Sequence, residues 1–340
     1  VTHQDLIAYR TPAVFETPEA WLDHRTTTRD ALAMASAVVC FSRAVADDLA
    51  ADDLVAEGRC QIVPIGTDPR FVEPAAPERP PAVEGERPFL VLLGTRFRHK
   101  NALFALDVLR ELRERHGWDG ELVIAGAEVL HGTASAEDAE WLVHNREHAG
   151  GVRIIGAVTE GEKASLLSEA AAVMFPSTYE GFGLVPAEAA AAGVPCAFAP
   201  VSAMQALLPA DAALIVPWDA SATAARLAPV LAPGPARDET VGRLVRACAP
   251  YTWDRTAESL ARVYRAAVEL PSPPAARARE DLAIAERRYW QVRDSAGPAL
   301  WQLVDPDGPL VDEQFAGRLA SGLRDARARA RIERALKRIR

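Results

Sequence analysis

The chain is nearly without lysine. Only Lys100, Lys163 and Lys337 stand among its 38 basic residues, and the other 35 are arginines. Together with the abundance of alanine, this reads as the coding bias of a GC-rich genome, so most arginines carry no functional message. A lysine kept against that bias is worth following. Cysteine is scarce too, and Cys40, Cys60, Cys196 and Cys248 form no C-x-x-C pair. That spacing excludes a zinc ribbon or a dithiol redox motif and leaves reduced, buried thiols as the expectation. No apolar run reaches the roughly 18 to 20 residues that a membrane helix needs, and no signal peptide is visible, so a cytoplasmic location is expected. Excess basic charge is missing as well. A net charge of −9 and a pI near 5.4 argue against a nucleic-acid partner, while leaving room for a local small-anion site.

At 340 residues, 49% apolar and 25% charged, the chain has material for two globular cores. Residues 1–70 read as a helix from Pro18 to Ser36, a strand Ala37–Phe41, a helix opened by Ser42 and a strand Gln61–Ile65. Two strands do not make a covered α/β sheet, and no initiating methionine precedes Val1. These residues are therefore expected to be the C-terminal remnant of a longer domain. Residues 71–87, rich in Pro, Ala and Glu, read as a linker.

Residues 88–270 then alternate regularly. Strands are expected at Phe89–Gly94, Glu121–Gly126, Val152–Gly156, Val173–Phe175, Cys196–Ala199 and Ala213–Val216. Helices fall between them at Leu103–Arg115, around Glu137–His148, after the capping pair Thr159 and Glu162, and near Ala203–Leu208. Further helical segments run from Ala220 to Val268. Such alternation predicts a parallel sheet with helices on both faces, whose ligands bind beyond the carboxyl ends of the strands. Residues 271–340 form a charged, helical tail with Phe315, Leu319 and Leu323 on one face, and segment 318–340 carries a local charge of +7. A solvated helix and contact with an anionic membrane surface or partner are its two readings.

The most informative stretch is Val173–Pro195, VMFPSTYEGFGLVPAEAAAAGVP. A short apolar strand runs into a loop loosened by Gly181 and Gly183, then into a helix with Pro186 in its first turn, Gly193 at its end and Pro195 beyond. Unpaired loop amides at a helix N-terminus favour a phosphate, and Glu180 and Glu188 flank that junction. A second segment, Gly94-Thr95-Arg96-Phe97-Arg98-His99-Lys100-Asn101, follows the first strand of the regular unit. It has no G-x-G-x-x-G, which counts against a nicotinamide or flavin enzyme. It offers instead cations or potential cations beside a helix start, suited to a diphosphate. No Asp-x-Asp and no His/Asp grouping at metal-like spacing accompanies it, so no metal is expected.

With GTRFRHKN and EGFGLVPAE about 80 residues apart, the sequence resembles the group 1 (family 4) retaining glycosyltransferases of GT-B fold. Glu180 and Glu188 match that family's paired glutamates separated by seven residues. FPSTYEGFG, EAAAAGVP, SRAVADDL, PIGTDPRF and YTWDRTAESLARVY agree as well, so the resemblance covers roughly residues 15 to 268. It implies an α/β GT-B architecture: a Rossmann-like donor domain at 88–270, a partial Rossmann-like N-terminal domain, and a tail outside the family pattern.

The implied reaction moves a hexose-type sugar from a nucleoside diphosphate to an acceptor hydroxyl with retention, without a cofactor. The acceptor would be a glycan or glycolipid in cell-surface polysaccharide synthesis, and the site peripheral to the inner face of the plasma membrane if segment 318–340 touches it. By the same resemblance Lys100, with Arg96 preferred to Arg98, would hold the diphosphate. Glu180 would bond the donor-sugar hydroxyls and Glu188 the ribose hydroxyls. The backbone of Phe182, Gly183 and Leu184 would approach the sugar and phosphates, and Val158 would meet the base.

The sequence departs from the family at its start. The glycine-rich loop and catalytic histidine of the N-terminal domain are not found, and His3 and His24 read better as surface histidines. His99 reads equally as a phosphate contact or a turn residue. A binding-only module and a GT-B epimerase or phosphorylase stand as alternatives to a transferase.

Overall fold

The computed structural model describes residues 1–67, 78–83, 85 and 87–270. Most of the expected linker and all of the tail 271–340, including segment 318–340, lie outside the described residues. By its contacts the chain divides into two units, one of Val1–Ile7 with Ala37–Leu270, the other containing Ala8–Ser36.

The larger unit opens with a small parallel sheet. Strand β1 (Thr2–His3) pairs with β2 (Val38–Cys40), which pairs with β3 (Cys60–Ile62). The sequence reading had no strand before Pro18. Two residues are too few to show a period, and β1 exists only because β2 offers it a parallel edge. The strand expected at Gln61–Ile65 starts one residue earlier and ends before Pro64, which has no N–H to give a ladder.

Residues 8–36 hold most of the short helix α1 (Ile7–Arg10) and the long helix α2 (Pro18–Met34), capped by Thr17 Oγ1 on the Ala20 amide at 3.2 Å. Here the Trp21 indole donates to the Tyr9 carbonyl at 3.1 Å, and Arg29 Nε donates to the Tyr9 hydroxyl at 2.9 Å. His24 lies 5.2 Å from the Phe15 ring, and burial lowers its pKa. His24 and His3 are thus half-buried, not the surface histidines expected.

Helix α3 (Arg43–Ala51) follows β2 and is capped by Ser42, as expected. The second sheet is then built from β4 (Phe89–Leu93), β5 (Glu121–Ala125), β6 (Val152–Gly156), β7 (Ala172–Phe175) and β8 (Cys196–Phe198). All pairs are parallel, and the order is β6-β5-β4-β7-β8. Consecutive residues of a strand face opposite sides, and two cores result.

Phe89, Val91, Leu93, Val173 and Phe175 pack under α7 (Glu160–Glu169), α8 (Leu184–Ala191) and α11 (Pro235–Cys248). Leu90, Leu92, Leu122 and Ile124 pack under α4 (Ala102–His116) and α10 (Ala220–Leu227) on the other face. Helix α12 (Trp253–Glu269) closes the described chain. A sheet covered on both faces explains why the strands read as unbroken apolar runs.

Two expected elements differ. The helix around Glu137–His148 is two helices, α5 (Ser135–His144) and α6 (Arg146–Ala149), broken at Asn145, whose side chain donates back to the Trp141 carbonyl. Ala213–Val216 is not a strand. A 3-10 turn (Ala210–Ala212) leads into it, and its contact with β8 is one bond, Ile215 N to Phe198 O at 3.3 Å. Its apolar residues face the core, but the ladder is not formed. The short helix α9 (Ala203–Leu207) stands where expected.

Candidate donor-sugar site

Lys100 and Glu180 are 80 positions apart and in contact. The topology does this: β4 and β7 are neighbours in the sheet, so the turns at their carboxyl ends meet. After β4 the chain turns at Gly94, makes a 3-10 turn over Arg98–Lys100 and enters α4 through Asn101, whose φ is +55°. The Thr178 amide donates to the His99 carbonyl at 2.8 Å, fastening that turn to the loop after β7. Lys100 Nζ then lies 2.6 Å from Glu180 Oε1, with side chains 19% and 12% exposed. A largely desolvated ion pair of this kind is much stronger than a surface one.

The loop after β7 is held from several sides. Ser202 Oγ accepts from the Glu180 amide at 3.2 Å and donates to the Glu180 carbonyl at 2.8 Å. The amide of Glu180 is therefore not among the outward, unpaired N–H groups expected for this loop. The Ser42 hydroxyl, fully buried at the start of α3, donates to the Gly181 carbonyl at 2.7 Å, and the Tyr179 hydroxyl bonds Asp48.

Gly181 and Gly183 serve different purposes. Gly183 sits at the N-cap of α8 with φ +88°, a conformation side chains avoid. Gly181 has no such torsion. A Cβ there would fall 2.1 Å from the Gln4 carbonyl oxygen, so it is a glycine of close approach. Pro186 is the third residue of α8, in its first turn as expected, and Gly193, with φ +69°, follows the helix end as expected.

Glu188 is 5% exposed, on the alanine-lined face of α8. Its partner is Lys163, whose Nζ is 2.7 Å from Glu188 Oε1. Sequence reading did not place Lys163 in the site. Its rarity was the available signal, since both lysines of the described residues end on the two motif glutamates.

The other expected residues spread around this centre. Phe182 buries its ring edge-on against Tyr251, at 5.5 Å between centroids, which leaves its backbone toward the loop. Leu184 is 37% exposed in the first turn of α8. Val158 follows β6, half-buried against the core below that strand end.

Arg96 is not joined to Lys100. Its guanidinium donates to Asp138 at 2.8 Å and lies 3.8 Å from Glu128, with the side chain 9% exposed. Asp138 is nearly buried, and desolvation raises its pKa against the opposing pull of Arg96. Arg98 reaches Glu137 at 2.6 Å and is 52% exposed. His99 was counted among the potential cations, but burial, followed by the Lys100 charge, pushes its pKa down to about 4. At neutral pH it is a neutral imidazole.

One grouping with metal-ligand chemistry occurs among the described residues, away from these glutamates. Glu114, Glu147 and His148 bring their ligand atoms within 4.8 Å of one another. His148 Nε2 is 3.0 Å from Glu114, and both glutamates are exposed. Glu114 comes from α4 and Glu147 and His148 from α6, which is why spacing alone did not reveal it.

A parallel sheet of order β6-β5-β4-β7-β8 with charged residues gathered at its carboxyl edge, beside a second parallel sheet, is the architecture of a GT-B protein. Solved structures share that fold. Sucrose-phosphate synthase from Thermosynechococcus elongatus aligns with a TM-score of 0.60 at 24% identity, over 78% of this chain and 66% of that one. Anabaena Alr3699/HepE in complex with UDP-glucose aligns with a TM-score of 0.59 at 15% identity, over 79% and 71%.

Residues 77–243 match the family of glycosyl transferases group 1. The domain those residues form is a group 1 glycosyltransferase domain. Among curated relatives, the glycogen synthase of Mycobacterium tuberculosis is 31% identical over 200 residues, 57% of this chain and 45% of that protein. The D-inositol 3-phosphate glycosyltransferase of Kineococcus radiotolerans is 31% identical over 158 residues, 44% and 36%. The chain thus spans less than half the length of the curated relatives it matches. Among the described residues no helix is long and apolar enough to cross a membrane.

Proposed function

We propose that residues 88–270 form the donor-binding domain of a retaining glycosyltransferase that moves a hexose-type sugar from a nucleoside diphosphate to an acceptor hydroxyl. The observation that carries this reading is the Lys100–Glu180 contact at 2.6 Å, at the mouth of α8. It sets an ammonium against a carboxylate three residues before the N-cap of α8, which supports a role in binding an anion and hydroxyls. In the reaction the bond between the anomeric carbon and the diphosphate oxygen breaks, and the acceptor oxygen bonds that carbon on the same face. The acceptor proton passes to the departing phosphate oxygen. Negative charge grows on the diphosphate as this happens, and Lys100 with the α8 amides stabilises it. Glu180 orients the sugar hydroxyls and Glu188 the ribose.

A glycan or glycolipid acceptor of the cell surface, used on the cytoplasmic side of the membrane, completes the proposal. It rests on the family resemblance and not on the geometry of the cleft. Calorimetry with UDP, GDP and ADP tests the donor half. One of them binds the unaltered protein, and Lys100→Ala and Glu188→Ala each weaken it roughly tenfold or more, as expected for a lost charge-assisted hydrogen bond. Unchanged affinity in both variants would remove the basis of the reading.

A further inference from the structure

We infer that Lys163 is a positioning residue of the donor site, holding Glu188 through its Oε1 so that the glutamate is turned toward the ribose hydroxyls. This rests on the donor-site reading above and adds to it a residue and a reason for its chemistry.

Three observations carry the inference. The first is residue choice: in a chain with 35 arginines and three lysines, both lysines among the described residues meet the two motif glutamates, Lys100 on Glu180 at 2.6 Å and Lys163 on Glu188 at 2.7 Å. The second is the contrast with buried acids elsewhere. Glu121, 6% exposed, is gripped on both oxygens by Arg153, at 2.5 Å from Nε and 3.0 Å from Nη2, whereas Arg96 meets Asp138 through Oδ2. A planar guanidinium can match a carboxylate edge-on and close both oxygens, as at Glu121, whereas an ammonium is a point charge with no such fork. At the buried acids Glu121 and Asp138 the cation is an arginine. At the two glutamates expected to accept hydroxyl hydrogens, it is a lysine.

The third observation is how firmly Lys163 is set. It lies in the first turn of α7, behind a complete capping box: Glu162 N donates to Thr159 Oγ1 at 3.1 Å, and Thr159 N donates to Glu162 at 2.7 Å. The Lys163 amide bonds the Thr159 carbonyl at 2.9 Å. The cap fixes the start of α7, and α7 packs beside α8, so the ammonium is delivered to Glu188, with the exposed Glu160 carboxylate farther off at 4.0 Å. The Glu188 side chain is 7% exposed, and without that charge its carboxylate would stand among Ala187, Ala189 and Ala190 with weaker compensation.

The test is a ligand cycle by calorimetry. Whichever of UDP, GDP or ADP binds most tightly is compared with its 2′-deoxy and 3′-deoxy forms, on the unaltered chain and on Lys163→Met, Lys163→Arg and Glu188→Gln. Circular dichroism and the thermal midpoint confirm that each variant folds. Lys163→Met is expected to weaken the ribose form about tenfold, and a deoxy form less than twofold. Glu188→Gln behaves alike, and Lys163→Arg does not restore the preference for ribose. Equal losses on ribose and deoxyribose forms, or a folded Lys163→Met that binds like the parent, overturn the inference while leaving the donor site intact. An arginine variant that binds like the parent overturns the single-oxygen explanation. If the unaltered chain binds none of the three diphosphates, the donor reading falls and this inference falls with it.

Discussion

Gly181→Ala is the substitution whose consequence follows most directly from the coordinates. The added Cβ would sit 2.1 Å from the Gln4 carbonyl oxygen, 3.0 Å from its carbon and 2.9 Å from Asp5 Cβ. Contact distances between such atoms are above about 3 Å, so the two backbones must part by roughly an ångström. Neither is free to do so. Gln4 directly follows β1, which is laddered to β2, while the Gly181 carbonyl accepts the buried Ser42 hydroxyl and Tyr179 is bonded to Asp48.

Overpacking against backbone costs about 1–3 kcal/mol, and loosening one buried hydrogen bond adds about 1 kcal/mol. The expected loss is therefore about 2–4 kcal/mol in urea unfolding. Gly193→Ala is the control: it lies at φ +69° with nothing within 4 Å, so only the torsional penalty of about 1 kcal/mol applies. Because Glu180 adjoins Gly181, nucleoside-diphosphate affinity should fall in Gly181→Ala and hold in Gly193→Ala. A Gly181→Ala protein within 1 kcal/mol of the parent would show that the approach of Gln4 to this loop is not as described.

Two further outcomes are expected. His99 has a folded pKa near 4 against an ordinary value of 6.5. The unfolded chain thus binds the extra proton first, and this contribution to stability is complete above about pH 6.5 and disappears as pH falls toward 4. After a discount for partial exposure it is on the order of 2 kcal/mol. Unfolding of His99→Gln should lack that slope, and an NMR titration placing His99 near 6.5 would refute the assignment. Among the thiols, burial pushes Cys40 and Cys248 up to about 12 and raises Cys196 as well, whereas Cys60 is half-buried. A thiol reagent should label Cys60 first and the other three only on unfolding; fast labelling of Cys196 in the folded protein would contradict the packing.

What the amino-acid sequence determined by itself was whatever depends on near neighbours along the chain. The apolar runs of β4 to β8, the Ser42 cap, the capping box at Thr159 and Glu162, and the glycine after α8 are all set within a few residues, and each is found in place. The alternation of strand and helix was legible for the same reason, and it led to the parallel sheet; the GT-B class came from the resemblance carried by GTRFRHKN and EGFGLVPAE. Where the local signal was only apolar, it misled: Ala213–Val216 is buried like a strand but finds one bond to β8, and β1 was too short to be seen without its partner.

Tertiary structure alone decided the partners. That Arg96 turns to Asp138, that Gly181 is a glycine because Gln4 passes close to it, and that His99 is neutral beneath the loop all depend on segments far apart in sequence. The same holds for the two lysines. Their scarcity was visible from composition, but Lys100 meets Glu180 across 80 residues because β4 and β7 are neighbours, and Lys163 meets Glu188 across 25 because α7 packs beside α8.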